Sequence, residues 1–285
     1  MLKQSLMGGI VPRTANSLKM DFKACFYKMA ELSSGTLADT FGNGPNFTGV
    51  GGLTTGATGG LDPASSNTTA YATAAANAYL YDIVSLIGTF GELIIAFDWK
   101  STVTDVTATN CVFMAGRFNA THAGGGLALK VATSEKIQIE SRGAGAGGST
   151  QNAISSGSNP LQTTNRCTVV VSVRLNSVTE AAVDFLIREG TTTHTSSGTL
   201  ALDSGAGFAA FGTGGVDDGY SIAASKISAS GYSTMLNAGV AENATIRNLL
   251  LLKTPTYDSS LALSIMLDMS NNPGEIPRRI LQGSA

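Results

Sequence analysis

Short segments that switch apolar and polar residues with a period of two recur between Glu92 and Lys253, and turn residues separate many of them. Glu92–Lys100 puts Leu93, Ile95, Phe97 and Trp99 on one face; Cys167–Asn176 does the same with Val169, Val171, Val173 and Leu175. Successive side chains of a strand point to opposite sides, so this pattern belongs to half-buried antiparallel sheet. It repeats, with varying clarity, through Cys111–Arg117, Gly126–Ala132, Lys136–Arg142, Ala182–Glu189, Gly207–Gly212, Gly219–Ala224 and Ala244–Lys253. That repetition predicts an all-β chain folded as a two-sheet antiparallel sandwich. Leu93, Phe97, Trp99, Val169, Val171, Phe185 and Ile187 are expected between the sheets. Thr133–Glu135 is short enough to make a hairpin of 126–132 and 136–142, and Ala244–Lys253 reads as a central strand.

The flanks are less regular. Asp21–Met29 reads as the first strand. Gly35–Ala70 has the Gly, Thr and Asn content of a linker, yet Phe41, Phe47, Val50 and Leu53 argue that it packs. Tyr71–Leu80 stays open between a short helix and an extended edge, because its alanines favour helix while Thr and Tyr do not. Gly143–Pro160 reads as one long Gly/Ser loop. Asp258–Met269 reads as a helix, with Asp258, Ser259 and Ser260 able to supply the capping oxygen. Its apolar residues run almost all round, so it must be covered on several sides. The expected division is an N-terminal arm at 1–20, a sandwich at 21–257, and a C-terminal helix and tail at 258–285. The arms and the helix hold apolar groups with too little pattern for a core of their own. Leu2, Leu6, Ile10, Val11, Leu263, Met266, Ile276 and Ile280 are therefore expected to bury against neighbouring subunits.

Composition narrows the function classes. Charged residues are 13% of the 285, about half of the usual ~25%, and glycine is at 34 positions. A low-charge, small-residue surface suits packing against other subunits. Net charge is −2 with no basic stripe, which argues against nucleic acid as a partner. The first residues lack the apolar run of a signal peptide, and Ile83–Phe97 is interrupted by Gly88, Gly91 and Glu92, too short and broken to span a bilayer. The expectation is a soluble protein made in the cytoplasm. Cys25, Cys111 and Cys167 lie far apart, and the latter two sit in strand patterns as small buried hydrophobes.

Sites of chemistry are sparse. The two histidines, His122 and His194, have no Gly-x-Ser-x-Gly partner and read as exposed polar residues. Asp217 and Asp218 fall in a Gly-rich turn, GTGGVDDGY, whose carboxylates and backbone oxygens can hold calcium; a plain Asp-Gly turn is the commoner use of such a sequence. No other cofactor is expected.

Four pieces together resemble the concanavalin A-like, laminin-G-like jelly-roll superfamily over roughly residues 21–254. They are Ala38–Gly44 (ADTFGNG), Leu93–Trp99 (LIIAFDW), the pair 126–132 and 136–142, and Ile246–Leu251 (IRNLLL). The resemblance implies a jelly roll with a short C-terminal helix and extended terminal arms. The superfamily includes glycan lectins, adhesive modules, glucanases and phage structural proteins. Low charge, Gly/Thr-rich loops and two arms look most like the phage proteins of head-decoration, tail or fibre type.

Glucanases of this architecture need two or three carboxylates on alternate positions of one strand. Asp98, Glu140 and Asp184 each lack such a neighbour and read as solvent-facing strand charges, so no catalytic residue is expected. The expectation is a non-enzymatic structural protein of a phage-like virion, with copies of itself and other virion proteins as partners. The alternative is a carbohydrate-binding adhesin module that takes host-surface glycans.

Overall fold

The computed structural model describes residues 22–50, 54–55, 61–62, 71–84, 91–100, 110–116, 126–132, 136–142, 151–156, 161, 165–177, 179–201, 219–226, 232–234 and 245–283. The chain begins with β1 (Lys23–Lys28), β2 (Thr36–Leu37), β3 (Phe47–Val50), β4 (Thr54–Thr55), β5 (Leu61–Asp62) and β6 (Tyr71–Ala74), then helix α1 (Ala78–Val84). Next come β7 (Glu92–Lys100), β8 (Asn110–Gly116), β9 (Gly126–Val131), β10 (Ile137–Arg142) and β11 (Gln151–Ser155). β12 (Cys167–Ser177), β13 (Glu180–Glu189) and β14 (Thr192–Ala201) follow. β15 (Tyr220–Ile222), β16 (Ala224–Lys226), β17 (Tyr232–Thr234) and β18 (Thr245–Thr254) complete the strands, and α2 (Leu261–Asn271) and α3 (Arg278–Gly283) end the chain's described part.

Two antiparallel sheets form a jelly-roll sandwich. The first runs β14-β13-β12-β7-β18-β5-β4, with β1 also paired to β18; the second runs β11-β10-β9-β8-β15-β6-β3-β2. β16 and β17 make a small separate ribbon. The chain leaves the first sheet after β7, builds β8 to β11 in the second, and returns to lay β12 beside β7 in register Val171↔Ile95 and Cys167↔Trp99. β18, expected to be central, lies against β7 on one side and β1 on the other.

The alternation read from the sequence sets what lies between the sheets. Leu93, Ile95, Phe97 and Trp99 of β7 join Val169, Val171 and Val173 of β12, Phe185 and Ile187 of β13, and Phe113, Leu129 and Ile139 of the second sheet in one core. Each such side chain contributes about 1.5–3 kcal/mol on full burial, so this layer dominates folding. The first sheet is also covered on its other side. Ile94 and Ala96 of β7, Val170 of β12, Leu250 and Leu252 of β18 and Phe26 of β1 pack there against Leu261, Ile265, Met266 and Met269 of α2. Every residue from Glu92 to Trp99 is consequently buried.

The C-terminal tail departs from the expected arm. Leu281 N–H and Ile280 N–H bond to Pro277 O, and Asp268 accepts the Arg278 N–H at 2.9 Å, so α3 folds back beside α2. Met266 and Ile280 are buried and Ile276 packs with them, all against this chain's own sheet. Of the C-terminal residues expected at a subunit interface, Leu263 alone is exposed, at 42%. Leu2, Leu6, Ile10 and Val11 lie outside the described residues.

Three other stretches differ from the sequence reading. Tyr71–Leu80 holds both an extended and a helical element: β6 first, then the start of α1, which is capped by Asn77 Oδ1 accepting the Leu80 N–H at 2.9 Å. The Gly/Ser loop at 143–160 contains β11, paired with β10. Thr192–Ala201, which the sequence reading assigns to no element, is a ten-residue edge strand in full register with β13. Its entry is a two-residue turn in which Gly190 has φ of 56°, the conformation this kind of hairpin needs at its first central position. The segment Gly207–Gly212 lies outside the described residues.

Candidate functional site

Asp98 and Glu140, read as solvent-facing, are instead buried, with 1% and 5% of their surface exposed. The even-numbered residues of β7 face α2 rather than water, and the helix closes over them. A carboxylate there must be satisfied internally. Asp98 is: Arg166 pairs with it at 2.6 Å, and Thr168 Oγ1 and Asn248 Nδ2 donate to it at 2.8 and 2.7 Å. Arg166 also donates to Met269 O at 3.1 Å, near the C-terminal end of α2. The cluster is a latch that holds the helix on the sheet. Glu140 pairs with Lys130 on the neighbouring strand of the second sheet. Asp184, the third of these acids, is part-exposed and takes Arg174 Nη2 at 2.6 Å.

A carboxylate not singled out from the sequence, Glu92, behaves differently. It stands at the other end of β7 on the same face as Asp98 and is fully buried. Ser172 Oγ donates to Oε1, while Oε2 has no hydrogen-bond partner among the described residues. Burial raises its pKa above the usual carboxylate range; the Ser172 hydroxyl, the Asp258 amide and the Arg174 charge oppose that rise.

Glu92 lines a cleft of about 360 Å³ on the outer side of the first sheet. Ser172, Asp184 and Leu186 line it from β12 and β13, Thr195, Ser196 and Ser197 from the edge strand β14, and Tyr257, Ser259 and Ala262 from the turn into α2. Register explains the convergence: Asp184 pairs with Ser172 on one side and Ser197 on the other, and Leu186 pairs with Thr195. Asp258 shapes the turn by accepting Ser260 N–H at 2.9 Å and Ser260 Oγ–H at 2.7 Å. Ser260, a residue expected to cap the helix, makes no side-chain cap bond. Tyr257, 45% exposed, stands at the cleft with the Arg174 guanidinium 4.0 Å from its ring centre. The cleft thus combines an aromatic ring, several hydroxyls and an unpaired buried acceptor, at the small end of the range for ligand sites.

Other chemical groups are committed to structure. Asp39 accepts backbone N–H groups of Phe26, Phe41, Asn43 and Gly44 at 2.8, 3.3, 3.0 and 2.8 Å, which orders the ADTFGNG loop and fills its oxygens with donors. A Cβ at Gly44 would meet Cys25 Sγ at 2.4 Å, so the loop requires glycine there. Cys25, Cys111 and Cys167 are buried and unbridged. Burial pushes the Cys167 thiol up to about 12, well away from a reactive thiolate. Among the described residues no three His, Cys, Asp or Glu side chains gather as a metal site, and no helix is long and apolar enough to cross a membrane. Asp217, Asp218 and His122 lie outside the described residues, and His194 is half-buried on the edge strand.

No family model matches the sequence, and no curated protein matches it. Solved structures do share its fold. One described as a receptor binding domain is 9% identical with a TM-score of 0.53, over 92% of this chain and 53% of that one. One described as a mutant of HCR D/C is 9% identical with a TM-score of 0.51, over 88% and 52%. A structure described under cell entry of botulinum neurotoxin type C, dependent upon interaction with two ganglioside molecules, is 9% identical with a TM-score of 0.50, over 89% and 52%. The chain spans about half the length of these structures, and the likeness is one of fold.

Proposed function

We propose that this chain is a non-catalytic carbohydrate-binding module and that the cleft beside α2 holds the saccharide. The observation that carries the reading is Glu92: a buried carboxylate, beside the Ser172 hydroxyl and the Asp258 amide, whose Oε2 accepts no hydrogen bond among the described residues, in a cleft lined largely by hydroxyls, apolar side chains and Tyr257. Leaving such an acceptor unsatisfied costs stability, and a ligand hydroxyl would recover that loss. Sugars offer rows of hydroxyls beside an apolar ring face, which matches this lining. Support for a binding role, though not for the choice of sugar or of this cleft, also comes from the neighbours in fold, one described as a receptor binding domain and one under interaction with ganglioside molecules. Asp184 is tied to Arg174, which argues for a role in shaping the site rather than in bond cleavage. The test is a printed glycan array with the purified chain, followed by calorimetry on the best binder and analysis for released sugar. Saccharide binding without release supports the reading; release would turn it towards a hydrolase.

A second reading, the virion structural subunit, keeps two observations in its favour. Charge is low, and Leu263 and Leu281 leave 42% and 51% of their surface exposed on the helical layer. The mass of the full-length protein in solution tests it: an assembly of copies supports it, and a monomer at high concentration counts against it.

A further inference from the structure

We infer that the cleft selects neutral or amine-bearing sugars and rejects sugars that carry a carboxylate; this rests on the carbohydrate reading above. Among the described residues that line the cleft, the charged ones are Glu92 and Asp184, both acidic. The charge of Arg174, beside the cleft, is offset by Asp184: its Nη2 donates to that carboxylate at 2.6 Å and its guanidinium lies against the Tyr257 ring, while its buried Nε makes no hydrogen bond among the described residues. Arg279, the cation beside the entrance turn, pairs with Asp258 at 2.9 Å. Among the described residues the lining therefore holds no cation to neutralise a ligand carboxylate.

The hydrogen-bonding demand points the same way. Glu92 Oε2 has no donor among the described residues, and the Glu92 side chain lines the cleft. A sugar hydroxyl or ammonium supplies that donor; a carboxylate supplies only acceptors and brings like charge into a desolvated site. Thr195, Ser197 and Ser259 can donate to ring and glycosidic oxygens, while Tyr257, Leu186 and Ala262 offer apolar surface to the ring face. Discrimination comes from this repulsion as much as from the favourable contacts.

Matched pairs separate the two chemistries. Glucose- and glucuronate-terminated oligosaccharides, and galactose- and galacturonate-terminated ones, differ only in replacing CH₂OH by a carboxylate. Calorimetry at neutral pH should show the acidic member of the pair that binds held about tenfold or more weakly, as expected for one uncompensated like-charge contact. Glu92→Gln and Asp184→Asn should each narrow that gap, with thermal melting confirming that the variants fold. If the acidic member binds equally or better, the selectivity is wrong and the binding role stands. If neither member of any pair binds and an array of amino, neutral and acidic glycans is blank, the carbohydrate reading falls and this inference with it.

Discussion

Glu92 and Asp98 lie on the same face of the same strand, about 20 Å apart at roughly 3.3 Å per residue, and both are buried. Their surroundings are opposite. Asp98 has an arginine, an amide and a hydroxyl around it, and the arginine also grips α2. Glu92 has the Ser172 hydroxyl and the Asp258 amide beside it, while its buried Oε2 makes no hydrogen bond among the described residues and its side chain lines a cleft. Burial alone therefore does not identify a functional carboxylate. What separates the two carboxylates is that both oxygens of Asp98 are taken by donors, whereas Glu92 keeps one that is not and lines a cleft.

Removing the latch should have the largest effect. Asp98→Ala strands Arg166 without its partner and should lower stability by about 3–5 kcal/mol in chemical denaturation. A loss under 1 kcal/mol would mean that the cluster does not hold the helix. Arg166→Ala should cost less, about 2–4 kcal/mol, because the amide of Asn248 and the hydroxyl of Thr168 still reach Asp98.

Glu92→Gln should behave in the opposite way to Asp98→Ala: neutral, or stabilising by about 1 kcal/mol, because it removes a charge that burial disfavours. The sign in pH follows. A carboxyl whose folded pKa is raised is protonated more readily in the folded state than in the unfolded one. Its contribution is complete below the unfolded pKa and is lost as pH rises through the folded value. Wild type should therefore lose stability relative to Glu92→Gln as pH climbs through and just above the ordinary carboxylate range. A difference that is flat across this range would show that Glu92 is not perturbed. The smallest effect belongs to the exposed pair Arg279–Asp258. Arg279→Ala should change stability by less than about 1 kcal/mol and leave binding intact, whereas a large loss would make α3 part of the latch.

The sandwich was legible because the alternation of Leu93, Phe97 and Trp99 and of Val169 and Val171 follows from the pleat itself, and the structure places all of them between the sheets. The outer side of those strands was not legible. Glu92, Asp98 and Ser172 interleave with apolar residues, and a period of two cannot say whether the second face meets water or a helix. The apolar girth of Leu261–Met269 did carry that message: a helix apolar nearly all round needs a cover, and the sheet beneath it supplies one. Thr192–Ala201 escaped because neither face of that strand is apolar; the signal that could have found it is Glu189-Gly190-Thr191-Thr192, a two-residue hairpin turn after a clear strand. The cleft was out of reach for a different reason. Its residues come from positions 92, 172, 184–186, 195–197 and 257–262, which only the sheet register and the returning helix bring together.

The most direct measurement is a crystal structure of the chain soaked with the neutral oligosaccharide that binds best in calorimetry. The account predicts a sugar ring in the cleft between Tyr257 and the β13–β14 hairpin, with one hydroxyl within hydrogen-bond distance of Glu92 Oε2. A sugar bound elsewhere on the sandwich, with Glu92 still unpartnered, would contradict it.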